Sequence, residues 1–235
     1  MSKSITKSGI GIIYAGGTFG SYGKPLASLD ADIFLPVLSQ ILQTHFATYP
    51  NHEHDPVDWR ILDNDVIKDS SQLTPADFAH FYQLIVQAIA QGLRQFVVLT
   101  GTDTLSYLAA FLAECFAGSH ISIVVTGAMR PLLDSNVLID YRIDAQSDAT
   151  QNLFDACKLA RHGEPGVRVC FSGEDWPAQT VQKIHSHDLM AFVGHHRAGY
   201  PANSYTAKIT QAQHQLWLED RLSELPQVFD SLSHA

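Results

Sequence analysis

Ile10-Gly11-Ile12-Ile13-Tyr14-Ala15-Gly16-Gly17-Thr18-Phe19-Gly20-Ser21-Tyr22-Gly23 is the stretch that decides the fold class of this chain. Its first half is an unbroken apolar run, too short for a helix and closed by glycines. That pattern reads as a strand buried on both faces. Its second half is a glycine-rich turn with one hydroxyl, Thr18, directly after the glycine pair. Glycines there let the backbone turn sharply and let a ligand approach its N–H groups. Thr18 then stands at the carboxyl end of a central strand, where open parallel sheets place their ligands. Taken alone, the stretch is a strand-to-helix turn with an incidental threonine.

Working outward, residues 31–46 carry Ile33, Phe34, Val37, Leu38, Ile41 and Leu42 at helical spacing, with Asp30 as cap and Pro36 expected to delay the regular helix by a turn. A polar loop follows in which His52, Glu53, His54 and Asp55 stand close together; such residues are ordinary in solvated loops, and no metal site is expected. Residues 57–66 read as strand and then loop. Thr74, Pro75 and Asp77 mark a helix start with a capping box, and Phe78, Phe81, Ile85 and Ile89 line one face up to Gly92. Strands are predicted at 96–99, 121–125 and 167–171, and helices around Leu105, Leu108, Phe111 and Leu112 and over 152–160. Residues 132–143 read as irregular.

Strand, loop and helix recur in that order. The repeat specifies an α/β fold, a single three-layer domain with a mainly parallel sheet, helices on both faces and right-handed crossovers by default. It occupies residues 1–200. Residues 201–235 are expected to form a C-terminal extension with one amphipathic helix (Leu216, Leu218, Leu222, Leu225) and no second domain.

A chain of 235 residues suits one large domain, which buries roughly 70–75% of its unfolded surface and needs no staples. The formal charge of −9, with no basic cluster, argues against nucleic acid and anionic membranes as partners. Cys115, Cys157 and Cys170 lie far apart in apolar settings and read as reduced core thiols. No apolar run approaches the ~20 residues of a membrane-spanning helix. Lys3 and Lys7 before the apolar run mimic a secretory signal, but cleavage near Ala15 would remove the strand that the glycine turn depends on. The chain is read as cytoplasmic.

Three strands end in hydroxyl-bearing turns, at Thr18, Thr102 and Thr126, and a further loop carries Ser70 and Ser71. Strand ends of one parallel sheet converge on one rim, so these hydroxyls, with Asp103, are expected to share a pocket for a small polar molecule. Neither a GxGxxG with a downstream acid nor a GxxxxGK[ST] occurs, which leaves a nucleotide little support. Thr102 and Asp103 are also ordinary helix-capping residues.

Gly16-Gly17-Thr18, Asp69-Ser70-Ser71-Gln72, Thr100-Gly101-Thr102-Asp103-Thr104 and Gly127-Ala128-Met129-Arg130-Pro131, in this order, resemble the bacterial L-asparaginases. Ser147-Asp148-Ala149 with Asn152-Leu153, and Val181-Gln182-Lys183 with Asp188 and Phe192, extend the likeness over roughly residues 9–200. The resemblance implies the family's N-terminal, flavodoxin-like domain, with one unusual left-handed crossover. It implies hydrolysis of the side-chain amide of L-asparagine, and secondarily of L-glutamine, through an acyl-threonine, without a cofactor. Thr18 matches the nucleophile and Tyr22 its activating tyrosine, on a loop shorter than the family's. Ser70 matches the residue that holds the substrate α-carboxylate, with Ser71 beside it. Thr102, Asp103 and Lys183 match the second catalytic group. Asp103 also meets the α-ammonium, Ala128 offers backbone to the side-chain amide, and Gly17 lines the substrate.

The chemistry is consistent with those roles. A threonine hydroxyl is a poor nucleophile without a base or a positive field nearby, and a lysine packed on Thr102 and Asp103 supplies that field. Backbone N–H groups at the glycine turns can receive an oxyanion, at about 3–4 kcal/mol per donor. Two departures stand out. The sequence ends before the family's smaller C-terminal domain, and Ala149 replaces the glycine that follows Asp148 in the family. A homo-oligomer, most simply a dimer, is expected. The rival readings are a non-catalytic asparagine- or aspartate-binding protein and an amidase subunit that needs a partner chain.

Overall fold

The computed structural model describes residues 9–48, 58–136, 141–162, 164–196, 219–220 and 223–224. Lys3, Lys7, the cluster His52, Glu53, His54 and Asp55, and the leucines 216, 218, 222 and 225 lie outside them. In chain order the elements are β1 (Ile10–Tyr14), β2 (Ser21–Tyr22), β3 (Ala27–Ser28), α1 (Ala31–Thr48), β4 (Trp59–Ile61), α2 (Pro75–Ala90) and β5 (Gln95–Leu99). There follow α3 (Leu105–Cys115), β6 (Ser122–Thr126), α4 (Ala149–His162), β7 (Gly166–Phe171), β8 (Glu174–Pro177), β9 (Gln182–Lys183) and β10 (Phe192–Val193).

The main sheet runs β4-β1-β5-β6-β7-β8; the first five strands are parallel and β8 is antiparallel to β7. Leaving aside β8, this is the doubly wound order 2-1-3-4-5, whose strand order reverses between β1 and β5. In-register pairing of Tyr14 with Leu99 brings the carboxyl ends of those two strands level. β2–β3 and β9–β10 are short antiparallel hairpins beside the sheet.

Alternation along each strand divides the core into two layers. Ile10, Ile12, Tyr14, Val97, Leu99, Val124 and Cys170 face α1 and α4, where they meet Phe34, Leu38, Leu42, Leu153 and Cys157. Ile13, Phe96, Val98, Ile123, Val125 and Val169 face α2 and α3, against Phe81, Ile85, Leu108 and Leu112. Each fully buried isoleucine or leucine contributes about 1.5–3 kcal/mol of transfer free energy.

The helix faces also reveal one exception to the handedness rule. From β1 the chain crosses to β4 through α1 on one face, then returns through α2 and α3 on the other face while stepping to β5 and β6. Those three connections share one hand. The step from β6 to β7 continues in the same direction but uses α4, on the α1 face, so its hand is opposite. The expected default therefore fails once, as the family resemblance implied.

Two local readings need correction. α1 starts at Ala31 despite Pro36: the carbonyls of the first turn lose one partner, but Asp32 is exposed and water can satisfy it. Within the expected α1 stripe, Ile33 faces outward. α2 begins as anticipated, with Thr74 accepting from Asp77 N–H, the Asp77 carboxylate accepting from Thr74 N–H at 2.8 Å, and Pro75 in the first turn. Cys115, Cys157 and Cys170 form no disulfide. Burial pushes the Cys157 and Cys170 thiols up to about 12, with Asp155 and Asp175 adding to the rise at Cys170, so both are inert packing groups. Among the described residues no helix is long and apolar enough to cross a membrane.

Candidate active site

After β1 the backbone turns through Gly16 and Gly17, both at positive φ (94° and 79°). Gly17 N–H donates to Lys68 C=O at 3.0 Å, Lys68 N–H donates to Ala15 C=O at 3.1 Å, and Ser21 Oγ donates to Gly17 C=O at 3.0 Å. A Cβ on Gly17 would run into Gly101, so the turn after β1 and the turn after β5 touch backbone to backbone. Thr18 opens the single 3₁₀ turn Thr18–Gly20; it is half-buried, and its hydroxyl makes no hydrogen bond among the described residues. Gly20 is required by packing: a side chain there would collide with the buried Tyr14 ring. Burial pushes the Tyr14 phenol far above its ordinary value, so it stays neutral.

Ser70 begins a second 3₁₀ turn, Ser70–Gln72, capped by Asp69, which accepts from Ser71 N–H at 2.9 Å. The buried Ser70 hydroxyl sits against Gly101 and accepts from Asp103 N–H at 3.2 Å, while Thr104 Oγ1 donates to Ser70 C=O at 3.0 Å. This loop is thus tied to the β5 turn at two points. Ser71 is exposed and donates its hydroxyl back to Asp69 at 2.6 Å.

Lys183, on β9, reaches the β5 turn from the far side of the sequence. Its Nζ donates to Thr102 Oγ1 and to Asp103 Oδ1, both at 2.7 Å. The lysine side chain is 17% exposed and the aspartate 60%, so the ammonium is enclosed while the carboxylate still faces solvent. An enclosed ammonium bonded to a hydroxyl lowers the cost of negative charge on that oxygen and can pass a proton through it.

Ala128 lies in the loop after β6 and is fully buried. Tyr22 is on β2, half-buried, with its ring 5.3 Å from that of Tyr141. Thr126, expected to contribute a pocket hydroxyl, does not: it is fully buried and donates to Cys170 C=O at 2.7 Å, fastening β6 to β7. The structure therefore joins Ser70, Thr102, Asp103 and Lys183 by hydrogen bonds, with Gly17 packed on the adjacent Gly101 and Thr18 next to Gly17 in the chain.

Supports that the sequence reading left without a role surround this group. Lys68, whose backbone braces the β1 turn, places Nζ 2.8 and 3.0 Å from the Asp77 carboxylate oxygens. Asn64 Nδ2 donates to Tyr14 C=O at 2.7 Å, at the end of β1. Asp148 accepts from Met129 and Arg130 N–H, both at 2.9 Å. The signal for Lys68 and Asp77 was the lysine directly before Asp69-Ser70 and an acid already placed at a helix start; for Asp148 it was an acid at the entry to α4.

Against known proteins, the family model for the asparaginase N-terminal domain matches residues 9–215. The L-asparaginase of Thermococcus kodakarensis is 32% identical over 126 residues, 53% of this chain and 34% of that protein. The crystal structure of the thermostable L-asparaginase from that organism superposes with a TM-score of 0.59 at 27% identity, covering 79% of this chain and 50% of that one. L-asparaginase 1 of Escherichia coli strain K12 is 28% identical over 188 residues, 79% of this chain and 50% of that protein. A glutamyl-tRNA(Gln) amidotransferase subunit of Nanoarchaeum equitans is 29% identical over 126 residues, 52% of this chain and 28% of that protein. The chain spans half or less of the length of these curated relatives.

Proposed function

The chain belongs to the asparaginase N-terminal family, and from that premise we propose that it is an amidohydrolase releasing ammonia from L-asparagine, with L-glutamine as the second substrate. The observation that carries this reading is the Lys183–Thr102–Asp103 constellation, seated where the β5 turn touches the β1 turn. The Thr18 hydroxyl oxygen attacks the side-chain amide carbon, and Tyr22 helps to take its proton. The C–N bond of the tetrahedral adduct breaks as the nitrogen takes up a proton and leaves as ammonia. Water then attacks the acyl-threonine ester, its proton relayed through the Thr102 hydroxyl while Lys183 stabilises the developing negative charge. The ester bond to the Thr18 oxygen breaks as that oxygen takes a proton, and aspartate is freed. Backbone N–H groups of the glycine turns receive the oxyanion, while Gly17, whose own N–H is engaged by Lys68 C=O, lines the substrate. Ser70, with Ser71 beside it, receives the α-carboxylate, Asp103 the α-ammonium, and Ala128 the amide. No cofactor enters this scheme. A cytoplasmic homo-oligomer fits the same reading.

A coupled ammonia assay on the purified chain with L-asparagine and L-glutamine tests it. Ammonia from asparagine at a rate proportional to protein is the expected result. Binding of L-aspartate without ammonia release would replace the enzyme with an amino-acid-binding protein. Release that begins only when a second chain is supplied would favour an amidase that works as one subunit of a larger enzyme, as the name of the amidotransferase relative describes.

A further inference from the structure

Ala128 is buried, yet neither its N–H nor its C=O makes a hydrogen bond among the described residues. The flanking Gly127 C=O, Met129 N–H and Arg130 N–H are each held by a side chain. Asp148 spans the loop with both carboxylate oxygens: Oδ2 accepts from Met129 N–H and Oδ1 from Arg130 N–H, each at 2.9 Å. One helical turn later, Asn152 Nδ2 donates to Gly127 C=O at 3.0 Å and to Asp148 Oδ2 at 3.0 Å. Asn152 Oδ1 is used as well, accepting from Ser172 N–H at 2.9 Å beyond β7. Gly127 itself has no room for a side chain, because a Cβ would strike Thr100 C=O. The peptide groups before and after Ala128 are therefore pinned by two side chains four residues apart, Asp148 at the entry to α4 and Asn152 in its first turn.

A carbonyl left unpaired in a buried loop, with its flanking groups fixed by a charged clamp, is a preorganised acceptor. We infer that Asp148, braced by Asn152, is a positioning residue that sets the Ala128 carbonyl to accept from the amide nitrogen of the substrate. This rests on the amidohydrolase reading of the site and names what makes it selective for amides. Asp148 also lies at the entry to α4, where a carboxylate is favoured by the helix dipole.

The consequence separates amides from esters. An asparagine side chain has N–H groups to give to the Ala128 carbonyl; the β-methyl ester of L-aspartate has none, although the threonine attack and acyl-enzyme are the same. Asp148→Asn keeps the shape of the side chain but presents one acceptor where two are needed. The test measures kcat/KM for both substrates in wild type and variant, together with the thermal midpoint. The expected result is a loss of about 10- to 100-fold on L-asparagine, with the ester reduced by less than about threefold. Asp148→Glu retains a carboxylate and should recover part of the amide activity; it also serves if the asparagine variant is too unstable to assay. Equal losses on amide and ester, or no loss on either, would overturn the assignment while leaving the amidohydrolase reading intact. A wild type that hydrolyses neither compound would overturn both.

Discussion

At the carboxyl end of β5 the Thr102 and Asp103 side chains are wired to Lys183, whereas at the end of β1 Thr18 is positioned through the main chain of its turn. Thr102 and Asp103 both receive Lys183 at 2.7 Å, and Asp103 N–H is engaged by Ser70. Thr18, by contrast, has its main chain fixed through Gly17 and Lys68 and its hydroxyl uncommitted. The two arrangements suit different tasks. A proton carrier works best when its partners are already in place, because reorganisation during the reaction is costly. A nucleophile that is already bonded must break that bond before attack, so an uncommitted hydroxyl on a rigid main chain is the better starting point. On the proposed reading, the β5 end manages charge and the β1 end forms the bond.

The sharpest way to break this contrast is to delete the uncommitted hydroxyl. Thr18→Ala should reduce ammonia release by at least about a thousandfold, because no other group in the scheme can form the acyl intermediate. The thermal midpoint should move by only a degree or two, since the hydroxyl makes no hydrogen bond among the described residues. Substantial residual turnover would transfer the nucleophile's role to Thr102 and invert the comparison.

At the β5 end the expected losses are smaller, because removing a charge carrier slows the proton steps without abolishing attack. Lys183→Met should lower kcat by about 10²–10⁴ with a modest change in KM. Asp103→Asn should raise KM and also lower kcat, as it is assigned both the substrate ammonium and the lysine. If Lys183→Met turns over at the wild-type rate, the pair is a surface ion pair and the second catalytic group is wrong.

Legibility in the sequence followed the same division. The β1 end could be read locally: an apolar run followed by two glycines already implies a buried strand and a close approach, and the structure gives both. The Lys183 end could not be read in that way. β9 is two residues long and carries no periodicity, and Lys183 lies some 80 positions from its partners, so only family likeness pointed to it. Thr126 was misread because a hydroxyl at a strand end can face the rim or the neighbouring strand; here it meets Cys170 C=O. The opposite hand of the α4 connection depends on which face buries Leu153, Ala156 and Cys157. A helical pattern gives the apolar stripe but not the side of the sheet it covers. Asp148 and Asn152 were visible as motif residues, but their roles depend on a loop some 20 positions away.

The smallest expected effect concerns how the β1 end is braced from outside. Asp77 is nearly buried at the start of α2, and its carboxylate meets Lys68 Nζ at 2.8 Å and Thr74 N–H at 2.8 Å. Burial acts to raise its pKa, but the bond to Lys68, the two bonds from Thr74 and the lysine charge outweigh it. The carboxyl is therefore held below its ordinary value. A depressed native-state pKa means that the folded chain binds this proton less readily than the unfolded chain. The resulting stabilisation is complete above the unfolded value, near ~4, and is lost as pH falls through the native value. Asp77→Asn should accordingly cost about 1–3 kcal/mol at pH 7, measured by urea denaturation, and the gap to wild type should narrow at pH 3. Turnover should fall only a few-fold, because Lys68 braces Gly17 through its backbone, which the substitution leaves in place. A gap that is unchanged at pH 3 would assign the stabilisation to helix capping by shape alone. A loss of activity as large as that of Lys183→Met would mean that the β1 end, too, depends on charge.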